Sequence, residues 1–253
     1  MQAEPSPPSL ERVLDTIDGV DGWLTTGQAG LLFAAAARVR AGGRIVEIGS
    51  FRGRSTIVLA SAAVAGVDVV AIDPHAGNDR GPNEIEGFAA EAQSDNEAFR
   101  ANLAAAGVAD RVRHLRMFSD AALGEVHGPV DFLYVDGAHR YGPARADIRD
   151  WGRRVSPGGT MAVHDSFSSV GVTLAILSEL LFSSRFRYVG RSRSLAEFTA
   201  DLPRGVAARA ANACRIAGSL PWWAKNLLVK SIIAARLAPA ARAVLRRDLE
   251  WPY

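Results

Sequence analysis

The sequence predicts an α/β fold in which helices cover both faces of a doubly wound, mainly parallel sheet. Short β-branched runs alternate with segments of helical spacing, which is the pattern of repeated strand–helix–strand units. Two short strands on either side of Gly190 predict an antiparallel hairpin that closes the sheet. The 253 residues, 48% of them hydrophobic, are enough for one large core, and a second full domain is not expected.

The elements can be placed along the chain from their spacing. Apolar residues at helical spacing predict a first helix over Leu24–Arg40, capped by Thr26. A strand–helix–strand unit follows, with its parts at residues 44–50, 56–65 and 67–72. Later strands are predicted at Val112–Met117, Val130–Val135 and Thr160–His164, and the closing hairpin at Phe186–Val189 and Leu195–Phe198. Later helices are predicted near Glu97–Ala106, Ala121–Glu125 and Pro143–Arg153.

A polar stretch from Pro74 to Asn96 interrupts this alternation. It contains only a weak helical signal around Ile85–Ala92. A connection of this length inside a compact domain is more often a binding lid than a plain loop. We therefore expect a mobile lid over the site.

The chain divides into three predicted segments. Residues 1–22 are expected to be an N-terminal arm, 23–202 the main domain, and 203–253 a basic helical extension. The extension carries nine Lys/Arg against Asp248 and Glu250, a net charge of +7, which leaves −5 for the rest of the chain. A packed helical segment with a basic outer face is the favoured interpretation, and an anionic partner is the alternative. The apolar stripe after Trp222 could pack on its own domain, on a second copy of the chain, or on an anionic membrane surface.

Composition excludes several classes. The single cysteine, Cys214, cannot form an internal disulfide, and no Cys-pair spacing of a structural zinc site is present, so the cytoplasm is expected. The first ten residues lack the basic start and apolar stretch of a secretory signal. Apolar runs stay below the roughly 20 residues that a membrane-spanning helix needs.

The turn after the first strand points to a nucleoside. Gly49 and Gly53 allow a close backbone approach to a ligand, and Glu47 places a carboxylate beside the same cleft. Asp73, at the end of the second strand, can accept hydrogen bonds from both hydroxyls of a ribose. The Gly-x-Gly-x-x-Gly fingerprint of dinucleotide sites is absent. A tight strand-to-helix turn without a ligand is the alternative.

These residues also carry a family resemblance. Residues 46–55, Asp73 and residues 130–141 resemble the class I S-adenosylmethionine-dependent methyltransferases, and the resemblance extends over about residues 23–198. Further runs at 136–141, 147–151 and 156–159, together with His164-Asp165, are similar to metal-dependent O-methyltransferases of macrolide and polysaccharide sugars, the macrocin and mycinamicin type. Catechol O-methyltransferase is a more distant relative. The resemblance implies a seven-stranded Rossmann-like methyltransferase sheet.

The resemblance also implies roles for individual residues. His139 would be the general base. His164 stands where the sugar enzymes have an acidic ligand, so it is the candidate third metal ligand beside Asp136 and Asp165. Asp73 would bind the ribose, and Ser119 would lie on the adenine side. The remaining contacts to S-adenosylmethionine would come from Glu47, Gly49, Ser50, Gly53, Ser55 and Asp136.

Elementary chemistry supports the metal site independently. Asp136 and Asp165 each follow a predicted parallel strand, and such strand ends meet at one edge of a sheet. Hard oxygen ligands without cysteine suit Mg²⁺ or Mn²⁺ better than zinc. A metal raises the oxyanion character of a hydroxyl, and the neutral imidazole of His139 can take its proton. Asp165 as a mere helix cap, or His139 packed against Tyr141, are the structural alternatives.

The sequence thus predicts a metal-dependent O-methyltransferase acting on a sugar hydroxyl, with a small molecule or oligosaccharide as acceptor. A homodimer without a nucleic-acid partner is expected, with peripheral membrane contact through the basic tail as an option. A phenolic or lipid-linked acceptor is the nearest rival. An NAD-dependent oxidoreductase and a membrane-associated adaptor without activity are the rivals from other classes.

Overall fold

A computed structural model describes residues 8–76 and 89–234 of the chain. Residues 77–88, which make up most of the predicted lid, lie outside the described residues. The same holds for the first seven residues and for 235–253 at the end of the basic extension.

A seven-stranded sheet forms the centre of the fold. Its strands are β1 (Arg44–Ile48), β2 (Asp68–Ile72), β3 (Val112–Leu115), β4 (Val130–Val135), β5 (Val155–Val163), β6 (Arg187–Ser192) and β7 (Leu195–Thr199). They lie in the order β3-β2-β1-β4-β5-β7-β6. Strands β1 to β5 pair in parallel, whereas β7 runs antiparallel to both of its neighbours. The predicted doubly wound sheet with its closing hairpin is confirmed.

Helices pack on both faces of this sheet. They are α1 (Leu10–Ile17), α2 (Thr26–Ala37), α3 (Arg54–Ala62), α4 (Ala89–Ala105), α5 (Ser119–Ala122), α6 (Tyr141–Ala146), α7 (Val170–Glu179), α8 (Val206–Ala217) and α9 (Leu220–Ala234). Side chains alternate along a strand, so each strand serves two cores. In β1, Val46 and Ile48 belong to one apolar cluster, and Ile45 belongs to the cluster that contains α3. The strand order reverses between β1 and β4, where α/β sheets bind their ligands.

Several predicted helix boundaries were wrong. Helix α2 is capped by Thr25 and not by Thr26, because Thr25 forms a reciprocal capping box with Gln28 three residues later. Helix α4 begins at Ala89 rather than near Glu97, so the last part of the predicted lid is helical. The helix predicted at Pro143–Arg153 is α6 followed by a π-helical turn and a 3₁₀ turn.

Other elements were extended or missed. Strand β5 starts at Val155, before the predicted Thr160, because it runs through the Gly-rich turn sequence and pairs irregularly with β4. Helix α1 lies within the predicted N-terminal arm, and its Val13 and Ile17 are buried in the core. Helix α7 also has no counterpart among the predictions, since its nearly continuous apolar run shows no polar face.

The described part of the C-terminal extension packs on its own domain. Asn212 of α8 contacts the backbone of the edge strand β6 and of the residue before it. Its side chain accepts a hydrogen bond from Tyr188 N at 2.7 Å and donates one to Phe186 O at 3.0 Å. The amide therefore satisfies backbone groups that an edge strand would otherwise leave open. Trp222 and Trp223 of α9 pack against the central core. Among the described residues, no helix combines the length and the apolar character that crossing a bilayer requires.

Candidate active site

A cavity of about 800 Å³ opens at the carboxyl ends of the parallel strands. Its walls come from the turns after β1, β2 and β4 and from the segments before α2 and α5. Most of the residues that the sequence predicted for the site line it: Gly49, Ser50, Ser55, Asp73, Ser119, Asp136 and His139. His164 and Asp165 line a small neighbouring pocket that shares Asp136 and His139 with the main cavity. One edge of the sheet thus carries both most of the predicted cofactor-binding residues and the predicted metal ligands.

The two glycines of the first turn lie where neighbouring parts of the protein leave no space for a side chain. A side chain on Gly49, whose φ is +85°, would lie 2.2 Å from the carbonyl oxygen of Asp136. A side chain on Gly53, whose φ is +87°, would lie 2.6 Å from Leu103 of α4. The left-handed backbone and these contacts both require glycine. The sequence interpretation, close approach to a ligand, is therefore not needed to explain Gly53, which lies behind the cavity wall.

Asp73 fastens the end of β2 to the turn after β1. Its Oδ2 accepts hydrogen bonds from Ser50 N at 2.9 Å and Phe51 N at 2.8 Å, and its Oδ1 accepts one from His75 N at 2.8 Å. A carboxylate offers about four lone-pair sites, so capacity for a further donor remains. The buried Ser50 hydroxyl has no hydrogen-bond partner within the described structure. Both groups line the cavity and are available to a polar ligand.

Glu47 lies beneath the cavity floor and is fully buried. Its two carboxylate oxygens accept hydrogen bonds from Ser55 Oγ and Thr56 Oγ1 of α3, each at 2.5 Å. Burial raises the pKa of Glu47 from 4.5 to about 8, although both hydrogen bonds oppose the shift. The predicted contact between Glu47 and the methionine part of the cofactor would therefore have to involve a group that is already paired within the protein.

Asp136, His164 and Asp165 form a compact cluster after β4 and β5. One potential ligand atom from each side chain lies within 4.8 Å of the others. His164 Nδ1 is 3.1 Å from Asp136 Oδ1 and 3.5 Å from Asp165 Oδ2. Nevertheless, neither ring nitrogen of this buried histidine has a partner with hydrogen-bond geometry among the described residues. The predicted convergence of the two aspartates is present in the fold, and His164 joins them.

The electrostatics of this cluster are dominated by opposed charges. Burial by itself would lower the pKa of His164, but the carboxylates of Asp136 and Asp165 outweigh it and raise that pKa to about 10. Burial would raise the pKa of Asp165, yet His139 and His164 hold it well below its usual range. Tyr134 donates a hydrogen bond to Asp136 Oδ2 at 2.8 Å, and burial with the Asp136 charge raises the tyrosine pKa far above 10. The carboxylates therefore stabilise a positive charge on His164, and they disfavour a further negative charge on Tyr134.

His139 is oriented by Asp165. Its Nε2 lies 2.5 Å from Asp165 Oδ2, and the imidazole also lines the cavity. The start of α7 packs tightly beneath it, since a side chain on Gly171 would lie 2.2 Å from the His139 carbonyl oxygen. A histidine held by a carboxylate at the edge of a cleft is a common arrangement for a general base.

Backbone strain concentrates at the same rim. Among described non-glycine residues, positive φ occurs at Phe51, His75, Asp165, Phe167 and Arg193. The first four lie in the turns after β1, β2 and β5, which also carry residues of the cavity wall and of the acidic cluster. Such conformations persist only where the surrounding structure imposes them, and they are often found at functional sites.

Sequence reasoning missed part of the cavity wall. Trp23 packs against Phe51 with ring centroids 5.4 Å apart, and Arg52 binds both Asp21 and Asp95, the latter at 2.8 Å. All of them line the cavity. Their only sequence signal was position, since Phe51 and Arg52 stand between the two glycines. No spacing rule predicts that residues 21–23 and 95 meet them.

The predicted adenine-side residue has a partner that was not assigned. Ser119 donates a hydrogen bond to Asp147 Oδ1 at 2.5 Å, and both residues line the cavity. Burial raises the pKa of Asp147 to about 6, against the lowering effect of this hydrogen bond. Trp151 donates its indole N–H to the Ser119 carbonyl oxygen at 3.1 Å, so the whole corner is held rigidly.

Comparison with known proteins agrees with this geometry. Residues 46–166, from β1 to just beyond β5, match the profile of a family described as "Methyltransferase domain". The matched segment contains all the predicted site residues. Over these residues the chain matches a methyltransferase domain, and the strand order agrees with it, which confirms the resemblance in its general form.

Individual relatives are distant. The uncharacterized protein y4gI of Sinorhizobium fredii is 30% identical over 153 residues, which are 59% of this chain but only 16% of that protein. The structure of the O-methyltransferase NovP aligns with a TM-score of 0.57 at 18% identity, over 71% of this chain and 83% of NovP. The S-adenosylhomocysteine (SAH)-bound methyltransferase PaMTH1 of Podospora anserina aligns with a TM-score of 0.53 at 16% identity, over 75% and 86% of the two chains. At these identities the likeness concerns the fold.

Proposed function

We propose that the protein is a divalent-metal-dependent O-methyltransferase that transfers the methyl group of S-adenosylmethionine to a hydroxyl of a sugar. The observation that carries this proposal is the cluster of Asp136, His164 and Asp165, with His139 beside it, at the edge of the methyltransferase cavity. The sugar acceptor rests on the resemblance of the His139 and His164-Asp165 motifs to sugar-modifying enzymes.

The β1–β2 side of the cavity fits S-adenosylmethionine. The cavity volume of about 800 Å³ is large enough for such a ligand and an acceptor. The buried hydroxyl of Ser50 lacks an internal partner, and Asp73 retains acceptor capacity for ribose hydroxyls. When bound, S-adenosylmethionine supplies a methyl group on a positively charged sulfur, for which an acidic rim is a favourable environment. NovP is itself an O-methyltransferase, which supports the choice of oxygen as acceptor atom.

The β4–β5 side fits a hard divalent cation. Two carboxylates and one imidazole are close enough to share an ion, and the imidazole nitrogens have no partner with hydrogen-bond geometry among the described residues. His164 would give up its proton on binding the ion, because a ligating imidazole is neutral. This donor set suits Mg²⁺ or Mn²⁺, with His164 in place of the acidic ligand of the sugar enzymes. Such an ion would act as a Lewis acid and lower the pKa of the acceptor hydroxyl.

The side chains divide the remaining work. Asp165 accepts a hydrogen bond from Nε2 of His139, which leaves Nδ1 as the basic nitrogen. In such a transfer the acceptor oxygen would bond to the methyl carbon as the carbon–sulfur bond broke with its electron pair left on sulfur, and His139 would take the hydroxyl proton. Tyr134 holds Asp136 in place through its hydroxyl. The tight packing of Gly49 against Asp136 keeps the two halves of the site in contact.

One observation favours a second mechanism. The 2.5 Å contact between His139 and Asp165 is a complete acid–base pair without any cation. In that case the His139–Asp165 pair alone would activate the hydroxyl. A phenolic acceptor, which ionises more easily than a sugar, would then be the natural substrate.

Four further expectations stay predictions from the sequence: a homodimer, the lack of a nucleic-acid partner, membrane contact and a cytoplasmic location.

Methyl transfer in the presence and absence of metal tests the proposal. The full-length protein is incubated with S-adenosylmethionine and a panel of sugar and phenolic acceptors, first with EDTA and then with excess Mg²⁺. We expect methylation of sugar hydroxyls that EDTA removes and Mg²⁺ restores. Full activity in EDTA contradicts the metal, and activity on phenols alone contradicts the sugar acceptor. Calorimetry with SAH, alongside fluorescence with NADH, separates this function from an oxidoreductase.

A further inference from the structure

We propose that helix α9 of the C-terminal extension positions the Asp165 loop, defined as residues 164–169, and that Asn226 and Lys230 are its positioning residues. The inference rests on the proposed function, because it gives the extension a role in holding a metal ligand. Neither residue is among those that line the cavity, and both donate hydrogen bonds to the backbone of the loop. Both act through the backbone of the loop.

Two side chains of α9 hold two consecutive carbonyl groups of the loop. Asn226 is buried and donates a hydrogen bond from Nδ2 to Phe167 O at 2.9 Å. Lys230 donates from Nζ to Ser168 O at 2.9 Å and to Ser168 Oγ at 3.2 Å. Residues four apart in a helix lie on the same face, so α9 presents both donors together.

The loop requires such support because its backbone is strained. Asp165 has a φ of +52° and Phe167 a φ of +57°, a region that bulky side chains rarely adopt. This alternation directs the Asp165 side chain towards His139 and His164 while the next carbonyl groups face α9. If the hydrogen bonds from α9 were removed, the loop could relax to an ordinary conformation. The Asp165 carboxylate would then lose its position.

The opposite side of the loop is held by a separate set of contacts. Ser166 N donates to Ser194 O at 2.8 Å, and Gln28 Nε2 donates to Ser194 Oγ at 3.1 Å. The loop therefore lies between the turn that joins β6 to β7 and helix α9. The contacts with Ser194 stay in place when side chains of α9 are changed. Removing the hydrogen bonds from α9 is therefore expected to shift the loop rather than unfold the domain.

The buried ammonium group of Lys230 indicates a role beyond packing. The side chain is half-buried, and burial lowers the pKa of its ammonium group while the Asp165 carboxylate opposes that shift. A methionine would fill the same volume without the cost of a buried charge. The lysine thus bears the cost of burying an ammonium group for the two hydrogen bonds that it donates to Ser168. This helix lies outside the segment that matches the methyltransferase family, so the role belongs to the extension of this chain.

Manganese binding to full-length variants tests the inference. The variants are Lys230→Met and Asn226→Leu, and Lys225→Met is the matched control because Lys225 is exposed on the same helix. Free Mn²⁺ is followed by electron paramagnetic resonance, SAH binding by calorimetry, and turnover with Mg²⁺. Loss of groups that orient metal ligands typically weakens metal binding about 10–100-fold. We expect that weakening in both α9 variants, with SAH affinity and the control unchanged.

The outcomes distinguish the inference from the function on which it rests. Wild-type protein that binds no Mn²⁺ contradicts the proposed function itself. If wild-type protein binds Mn²⁺ and both α9 variants bind it equally well, the positioning role is wrong. A parallel loss of Mn²⁺ and SAH affinity would also overturn it, because α9 would then support the whole domain and not the loop. Lys230→Arg, which keeps the charge and the donors, is expected to restore most of the Mn²⁺ affinity.

Discussion

The two halves of the active-site rim are built differently. After β1 and β2, the acidic side chains are satisfied within the protein: Asp73 accepts three backbone N–H groups, and Glu47 accepts two hydroxyl groups. After β4 and β5, Asp136 and Asp165 face a buried histidine whose ring nitrogens have no partner with hydrogen-bond geometry in the described part of the chain. In the first half the carboxylates are satisfied within the protein, whereas in the second half the histidine between the carboxylates keeps both ring nitrogens for a ligand.

This difference indicates how the site divides its tasks. Buried polar groups are nearly always hydrogen-bonded, so unpaired ones in an otherwise well-packed structure point to a missing partner. A preformed β1–β2 half favours binding without rearrangement, which suits recognition of a constant cosubstrate. In the proposed function, the charged β4–β5 half supplies the reactivity. Changes in the second half should therefore affect turnover, and changes in the first should affect cofactor affinity or stability.

The largest effect is expected at the acidic cluster. Asp136→Ala or Asp165→Ala should abolish turnover while SAH affinity falls only modestly, because the proposed metal ligands are lost and the β1–β2 half stays intact. Turnover is measured by methyl transfer and affinity by calorimetry. If both variants turned over normally, the proposed contrast between the two halves would be lost.

A smaller loss of turnover is expected when His139 is changed. His139→Ala removes the proposed base and should lower kcat about 10²–10⁴-fold, with SAH affinity unchanged. His127→Ala is the matched control, since His127 is exposed. Equal rates for the two variants would assign His139 a structural role against α7 rather than a chemical one.

A change at Asp73 should lower the affinity for SAH and leave turnover nearly unchanged. Asp73→Asn weakens hydrogen bonds to a charged group, each worth about 1.5–3 kcal/mol, so the SAH dissociation constant should rise roughly tenfold or more. Turnover at saturating cofactor should change little. Asp68→Asn, at the other end of β2 and paired with Arg44 at 2.7 Å, is the control. A kcat effect as large as that of His139→Ala would contradict the division of tasks.

The smallest effect concerns stability and pH at Glu47. Its pKa in the folded protein is about 8, above the ordinary 4.5, so the folded state binds this proton more tightly than the unfolded state. The resulting stability is present at low pH and is lost as pH rises between these two values. Glu47→Gln should flatten this dependence in denaturant titrations at about pH 5 and pH 8. A variant that kept the wild-type slope would show that Glu47 is ionised in the fold.

Much of this rim could be predicted from the sequence. Parallel strands joined by helices bring their carboxyl ends to one edge, so Asp73, Asp136 and Asp165 were expected there from their positions alone. The wrong helix boundaries, at Thr26 and Glu97, arose because local spacing does not define where a helix ends. The sequence also left open whether His164 belonged to the cluster, since ligand identity depends on where a ring points.

By itself, the sequence determined the class of fold, the order of most elements and the residues at the strand ends, because these follow from local periodicity and chain connectivity. Only the tertiary structure decided that Glu47 lies beneath the floor, that Gly49 makes room for the Asp136 backbone, and that α9 holds the Asp165 loop. Those contacts join segments that are distant in the chain. No periodic pattern encodes them, and they form only when the sheet brings their elements together.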